Sequence, residues 1–283
     1  MTQLVANGPG IGDSMVLSAI SHEFLAQRGE QVDVVVAHPE LYENNPSVRS
    51  AIGWSMDYPR SLPELDDQNV TKGEHNVQYA CRKFGLKVPD WKTIRPWFFF
   101  GISDITPLVK HLQQWSSDYV TMHPQPGPWT RNKDWYRDSW SELSLLFGEM
   151  KIYQLGGSED WKIPGTDPRF MGAPLRHVCR VLAGSELHIC PVTGTMHLAA
   201  AVQTPTLVIY GGREKSEVTG YAYQWRLHGE ASCSPCWLVN PCPYGSEING
   251  ELRKPCMDPI TAQSVFEIIK EKLPHALWTA NPH

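Results

Sequence analysis

A run of small, apolar and hydroxyl residues from Cys190 to Gly212, CPVTGTMHLAAAVQTPTLVIYGG, constrains the fold of this chain more than any other segment. Thr193-Gly194 reads as a turn opening a short helix that starts near Met196, with His197 in its first turn. A buried apolar strand, Thr206 to Tyr210, follows. A glycine at such a strand-to-helix turn lets backbone come close to a ligand. Unpaired N–H groups at the helix start favour an anionic group such as a phosphate. Many βα turns in α/β proteins share this pattern and bind nothing, so both readings stand at this point.

The surrounding sequence repeats the same logic. Residues 2–6 read as a strand, the loop NGPGIGD follows, and an amphipathic helix carries Met15, Ile20, Phe24 and Leu25 on one side. Val32 to Val36 is a β-branched run interrupted only by Asp33, the mark of a largely buried strand. This β-loop-α-β order predicts a parallel sheet with right-handed crossovers. The stretch from Asn44 to Asp67 reads mostly as loop, and Thr71-Lys72-Gly73-Glu74 as a capping box before a helix ending near Phe84. Ile94 to Phe100 and a helix near Pro107 to Trp115 complete the first half.

A second series runs through a strand ending at His123-Pro124, a helix at Trp140 to Phe147 and a strand at Lys151 to Leu155. A helix at Leu175 to Leu182 and a strand at Glu186 to Ile189 lead into the TGTMH segment. The expectation is an α/β protein of two Rossmann-like domains, 1–120 and 121–283, with a junction near residues 116–123.

With 283 residues the chain is long enough for two such cores. A net charge of −5 leaves no strong electrostatic footprint for nucleic acid. No apolar run approaches the length of a membrane span, and MTQLVANGPG lacks the basic start and apolar core of a signal peptide. The expected location is the cytoplasm, with peripheral contact with a membrane left open. In a reducing compartment the 7 cysteines read as free thiols or metal ligands. Cys81, Cys179 and Cys190 sit in apolar contexts and suit a core.

Three segments together resemble the ADP-heptose:lipopolysaccharide heptosyltransferases, glycosyltransferase family nine. They are Gly10-Ile11-Gly12-Asp13 before a helix, His123-Pro124 through Lys133, Trp135 and Trp140, and Gly156-Gly157 through Thr193-Gly194-Thr195-Met196-His197 to Tyr210-Gly211. The resemblance implies the GT-B fold, two Rossmann-like domains facing across a cleft, with a C-terminal helix that can return to the first domain. It covers the second half almost continuously and the first half in patches. Two departures stand out. Val192 occupies the position where the family usually has an Asp, and the first half is short for the family.

What the resemblance implies for chemistry is inverting transfer of a sugar, heptose from ADP-heptose, to a hydroxyl of a glycan, lipid or protein. Asp13 would be the general base; by spacing alone it reads as the N-cap of its helix. Lys133, with Arg131 beside it, would meet the diphosphate as a point charge, or else belong to a solvated basic loop. Thr193, Gly194 and Thr195 would offer hydroxyl and N–H donors to the leaving group. His197 would donate to a phosphate oxygen, or else be a buried histidine bonded to a carbonyl. Gly156 and Gly157 sit at the carboxyl edge where nucleosides bind, and Glu159 is a candidate for a ribose hydroxyl. Trp129 and Trp135 flank Lys133 and are candidate sugar platforms.

Cys233, Cys236, Cys242 and Cys256 open at metal-knuckle spacing and suggest a closed structural site for zinc or iron. Many members of the family carry a similar cluster. Free or paired thiols stabilising a loop are the alternative. No cofactor is required for the chemistry, since protein groups can hold the diphosphate. Two other readings remain: a catalytically silent nucleotide-sugar binder or scaffold, and an NAD oxidoreductase. The second is weakened because neither half shows a strand followed by G-x-G-x-x-G.

Overall fold

The structure is a computed structural model that describes residues 2–6, 8–55, 73–102, 104 and 119–273. The predicted helix near 107–115, and Thr71 and Lys72 of the predicted capping box, lie outside the described residues. Strand β1 (Gln3–Val5), helix α1 (Ile11–Arg28), strands β2 (Val32–Val36) and β3 (Val48–Gly53) and helix α2 (Asn76–Lys83) make the first layer set. Its three strands run parallel in the order β1-β2-β3. Helix α1 ends on Gly29, whose φ of 64° is the left-handed conformation that glycine adopts without strain.

The second set comprises β4 (Tyr119–Met122), α3 (Arg137–Leu146), β5 (Lys151–Gln154), α4 (Leu175–Ala183), β6 (Leu187–Pro191), α5 (Gly194–Ala201) and β7 (Thr206–Ile209). A short helix α6 (Ser216–Thr219), strand β8 (Trp225–Leu227), a hairpin of β9 (Ser246–Ile248) and β10 (Glu251–Arg253), and helix α7 (Ala262–Lys272) complete it. Its five parallel strands lie in the order β5-β4-β6-β7-β8. Chain direction across the sheet reverses between β4 and β6, the switch point beside which open α/β sheets bind ligands.

Four expectations change. Residues 48–53, within the predicted loop, form β3, because β2 offers a parallel edge that their backbone completes. The capping box before α2 is made by His75 and Gln78. Ile94 to Phe100 alternates buried and half-buried residues yet joins no sheet among the described residues. It lies along α1 instead, where the Trp97 N–H donates to Ser18 Oγ at 2.8 Å and its ring stacks on His22. The C-terminal helix does not return to the first layer set. Val265, Phe266 and Ile269 are buried among Leu143, Phe147 and Ile152 of the second.

Helix α1 is buried on several sides. Met15, Leu17 and Ile20 share one hydrophobic cluster with Leu198, Ala199 and Ala200 of α5. The small residues of α5 allow this close helix approach. A buried ion pair reinforces the junction. Arg176 of α4 donates to the Asp104 carboxylate, with 2.7 Å from Nε to Oδ1, and to the carbonyls of Glu40 and Phe99 at 2.8 Å each.

Candidate functional site

The first turns of α1 and α5 meet face to face. Gly194 opens α5, and a Cβ added there would lie 2.7 Å from Ile11 Cβ. Gly12 sits opposite His197, and a Cβ on it would lie 3.0 Å from His197 Nε2. Both glycines are therefore needed for approach, not for turn geometry. Asp13 is the third residue of α1, not its cap: Gly10 is the N-cap and makes no side-chain cap bond. The Asp13 carboxylate folds back over the preceding loop, so that a Cβ on Gly10 would lie 2.6 Å from Oδ2. Asp13 and His197 thus sit on two helix starts that face each other.

His197 is buried, with Nδ1 2.7 Å from the Tyr221 hydroxyl. Burial pushes its pKa down to about 4, with the Lys133 charge adding to the effect. It is therefore neutral at pH 7, with one ring nitrogen held by tyrosine and the other facing α1. The sequence alternatives gave it a carbonyl partner; the structure gives it a phenol.

Lys133 stands in a single 3-10 turn, Arg131–Lys133, capped by Thr130. Its Nζ lies 2.9 Å from Glu214 Oε1, and Arg213 Nη1 lies 2.9 Å from the same oxygen. Burial opposes ionisation of Glu214, yet Lys133 and Arg213 hold its carboxyl below its ordinary range. Two cations on one carboxylate leave a net positive charge near His197. Trp129, 60% exposed, covers both cations, with its ring 5.4 Å from Lys133 Nζ and 4.6 Å from Arg213 Cζ. Trp135 is instead a core residue, its indole N–H donating to the Ile260 carbonyl.

Arg131 does not join Lys133. Its guanidinium turns to the β9-β10 hairpin, 2.7 Å from Glu247 and 3.0 Å from the Gly250 carbonyl. Successive residues of so tight a turn project in different directions.

The switch point itself is bridged. His123 follows β4, Thr195 follows β6, and His123 Nδ1 lies 2.9 Å from Thr195 Oγ1. The same hydroxyl lies 3.0 Å from His188 Nε2, and His188 Nδ1 lies 3.0 Å from Thr121 Oγ1. The Thr195 hydroxyl is thus turned inward to two imidazoles, while Thr193 and Gly194 remain half-exposed. Gly156, at φ 142°, and Gly157 border the same edge. A Cβ on Gly156 would lie 3.3 Å from His123 Cδ2. Asp160 accepts from the Gly157 N–H at 2.7 Å and lies 3.9 Å from His123 Nε2, while Glu159 points to solvent. The His123 partner and the Gly157 N–H hold Asp160 below the usual carboxylate range.

Sequence reasoning missed four residues: Arg213, Glu214, His123 and Asp160. A signal existed for each. Arg213-Glu214 follows a Gly-Gly at the end of β7, and His123 ends β4 at the switch point. Asp160 stands one turn beyond Gly156-Gly157. Val192, at the position of the family Asp, is buried with Cys190, Met196, Val208 and Tyr210.

Cys233, Cys236, Cys242 and Cys256 line one cavity together with Asn132, Arg213 and Lys254. All four thiols are free, and among the described residues no group of three or more His, Cys, Asp or Glu side chains is arranged to hold a metal ion. Cys256 is buried while the other three are half-exposed. The four soft donors around one cavity suit zinc or iron in kind.

The family model for glycosyltransferase family 9 (heptosyltransferase) matches residues 172–244. No curated protein sequence matches the chain. Among solved structures, E. coli ADP-heptose lps heptosyltransferase II is 14% identical, with a TM-score of 0.61 over 97% of this chain and 99% of that one. Dodecameric iron-containing heptosyltransferase TibC in complex with ADP-D-beta-D-heptose is 17% identical, with a TM-score of 0.69 over 98% of this chain and 77% of its own. The family 9 glycosyltransferase of Veillonella parvula DSM 2008 is 13% identical, with a TM-score of 0.65 over 96% of each chain. The likenesses establish the heptosyltransferase fold. Among the described residues no helix is long and apolar enough to cross a membrane.

Proposed function

We propose that this chain, which carries a family 9 glycosyltransferase segment in the heptosyltransferase fold, moves heptose from ADP-heptose to an acceptor hydroxyl with inversion. One observation carries the proposal: the first turn of α1, which bears Asp13, meets the start of α5 through Gly12 and His197, and His197 lies within the field of Lys133 in the Lys133–Glu214–Arg213 cluster. A carboxylate and a net positive cluster are the two charges that this displacement needs.

Asp13 accepts the acceptor's proton as the oxygen attacks the anomeric carbon. Lys133 and the N–H groups at Thr193 and Gly194 compensate the charge on the departing diphosphate. Neutral His197 donates from Nε2. Asp160, with Gly156 and Gly157, offers the nucleoside edge a carboxylate that Glu159 does not. The acceptor is a glycan, lipid or protein hydroxyl. A division into one domain per sheet would fall before β4 (Tyr119–Met122), whereas a cut at 120/121 would split that strand.

The test is a nucleoside-diphosphate-release assay, reading ADP, GDP or UDP, with ADP-, GDP- and UDP-sugars and a panel of glycan acceptors. Wild-type protein should turn over ADP-heptose, and Asp13→Asn should fold normally yet lose about 100-fold or more in kcat. An unchanged kcat in the variant would remove the base role. Buried Val192 favours the second reading, a silent nucleotide-sugar binder, whose signature is binding without turnover.

A structural zinc or iron on Cys233, Cys236, Cys242 and Cys256 is part of the same proposal and lies outside the chemistry. Four thiols around one cavity support it. Anaerobically purified protein should carry about one metal per chain; metal-free, fully folded protein would refute the site.

A further inference from the structure

We infer that Arg213 is a positioning residue: it shares the Glu214 carboxylate with Lys133, so that the lysine's charge is not fully neutralised, and the cysteine loop holds it in place to do so. The inference rests on Lys133 being the diphosphate cation.

Glu214 Oε1 receives Lys133 Nζ and Arg213 Nη1 at the same distance, 2.9 Å. Glu214 is almost fully buried, so its charge is weakly screened by solvent. With Lys133 alone, it would form a neutral pair with nothing left for a phosphate. The second cation leaves the cluster at +1, and a diphosphate then replaces part of the lysine's bond to Glu214.

Arg213 is itself 3% exposed and fixed from the other side. Its Nε donates to the Leu238 carbonyl at 3.0 Å, and its ring neighbour is Trp129. The backbone around it pairs with the cysteine loop, Cys236 N to Gly212 O at 3.3 Å and Trp237 N to Arg213 O at 2.9 Å. The turn bearing Lys133 is held by the same loop. Asn132 Nδ2 donates to the Leu238 and Asn240 carbonyls, and the Cys242 N–H donates to Asn132 Oδ1. Lys254 adds bonds to the carbonyls of Arg131 and Asp134. Both ends of the Lys133–Glu214 pair therefore hang from residues 236–254.

The experiment is titration of ADP and of adenosine into four proteins: wild type, Lys133→Met, Arg213→Met, and Arg213→Met with Glu214→Gln. Lys133→Met should weaken ADP and leave adenosine unchanged; if ADP binding is untouched there, Lys133 is not the diphosphate cation and the parent reading fails. Given that loss, Arg213→Met should weaken ADP by about tenfold, again sparing adenosine. Adding Glu214→Gln should restore ADP affinity to within about threefold of wild type, because the competing charge is gone. Arg213→Met binding ADP like wild type overturns the inference, as does a double variant no better than the single. Thermal melting of each protein separates weak binding from unfolding: a double variant whose melting is restored while its ADP affinity stays low also overturns it.

Discussion

Asn132 and Arg213 donate to one carbonyl oxygen, that of Leu238, each at 3.0 Å. The first residue belongs to the turn that carries Lys133 and the second adjoins Glu214, so a single acceptor in the cysteine loop fixes the distance between two charges that touch. Asn132 is also 2% exposed, which makes its amide a structural bolt and not a solvated side chain.

Replacing Asn132 with Ala strands the Asn240 carbonyl and the Cys242 N–H. Losing these bonds to a part-exposed loop should lower the unfolding free energy by about 1 kcal/mol. The loop should also open locally, so the thiol of Cys242 should label faster with a disulfide reagent under native conditions. Unchanged labelling would show that the loop is held by other bonds.

Gly194→Ala places a methyl 2.7 Å from Ile11 Cβ. Overpacking at a helix contact costs about 1–3 kcal/mol. Ile11→Gly in the same chain removes that Cβ and should relieve most of it, giving a favourable coupling in a double-mutant cycle of denaturant midpoints. Additive losses would mean the two helix starts are not in contact.

Arg176→Met leaves Asp104 buried beside an apolar side chain. Breaking such a pair destabilises by about 3–5 kcal/mol, whereas Arg176→Met with Asp104→Leu should lose much less. Chemical denaturation of the three proteins checks this. Arg176 holds the Asp104 carboxyl below its ordinary range, so the pair's contribution persists above the unfolded carboxylate pKa and fades as pH falls through the folded one.

The buried histidines set a second acid limb. Burial lowers His188 and His75 to about 3 and His197 to about 4, against an unfolded value near 6.5. Below about pH 6.5 the unfolded chain binds protons that the folded chain refuses, so stability is full above that pH and falls as pH drops toward 4. Each group contributes on the order of 3 kcal/mol across the window. His188→Asn should flatten the slope of unfolding free energy between pH 6 and 4 by about one proton. An unaltered slope would place His188 in contact with solvent.

Much of the scaffold was legible because it depends on local pattern. The β-branched run at Val32 to Val36 and the apolar run at Thr206 to Ile209 can only be buried strands in such a series, and both are. The resemblance located Asp13, Lys133 and His197, each within a contiguous motif. Ile94 to Phe100 was harder, since an extended alternating segment looks the same whether it pairs with a strand or lies along a helix. Pro96 within it removes a ladder donor, which was the available sign.

The sequence by itself determined the parallel α/β layers, the small-residue helix after β6 and the identity of the charged groups, because periodicity and turn chemistry act over a few residues. Only the tertiary structure decided which charges meet. Lys133 and Glu214 are 81 positions apart, Gly12 and His197 185, and Arg131 and Lys133 two apart yet turned to different partners. Electrostatics falls with distance in space and is blind to distance along the chain, so the pairing that sets the site's charge waits on the packing of α1 against α5 and of the cysteine loop against both of its tenants.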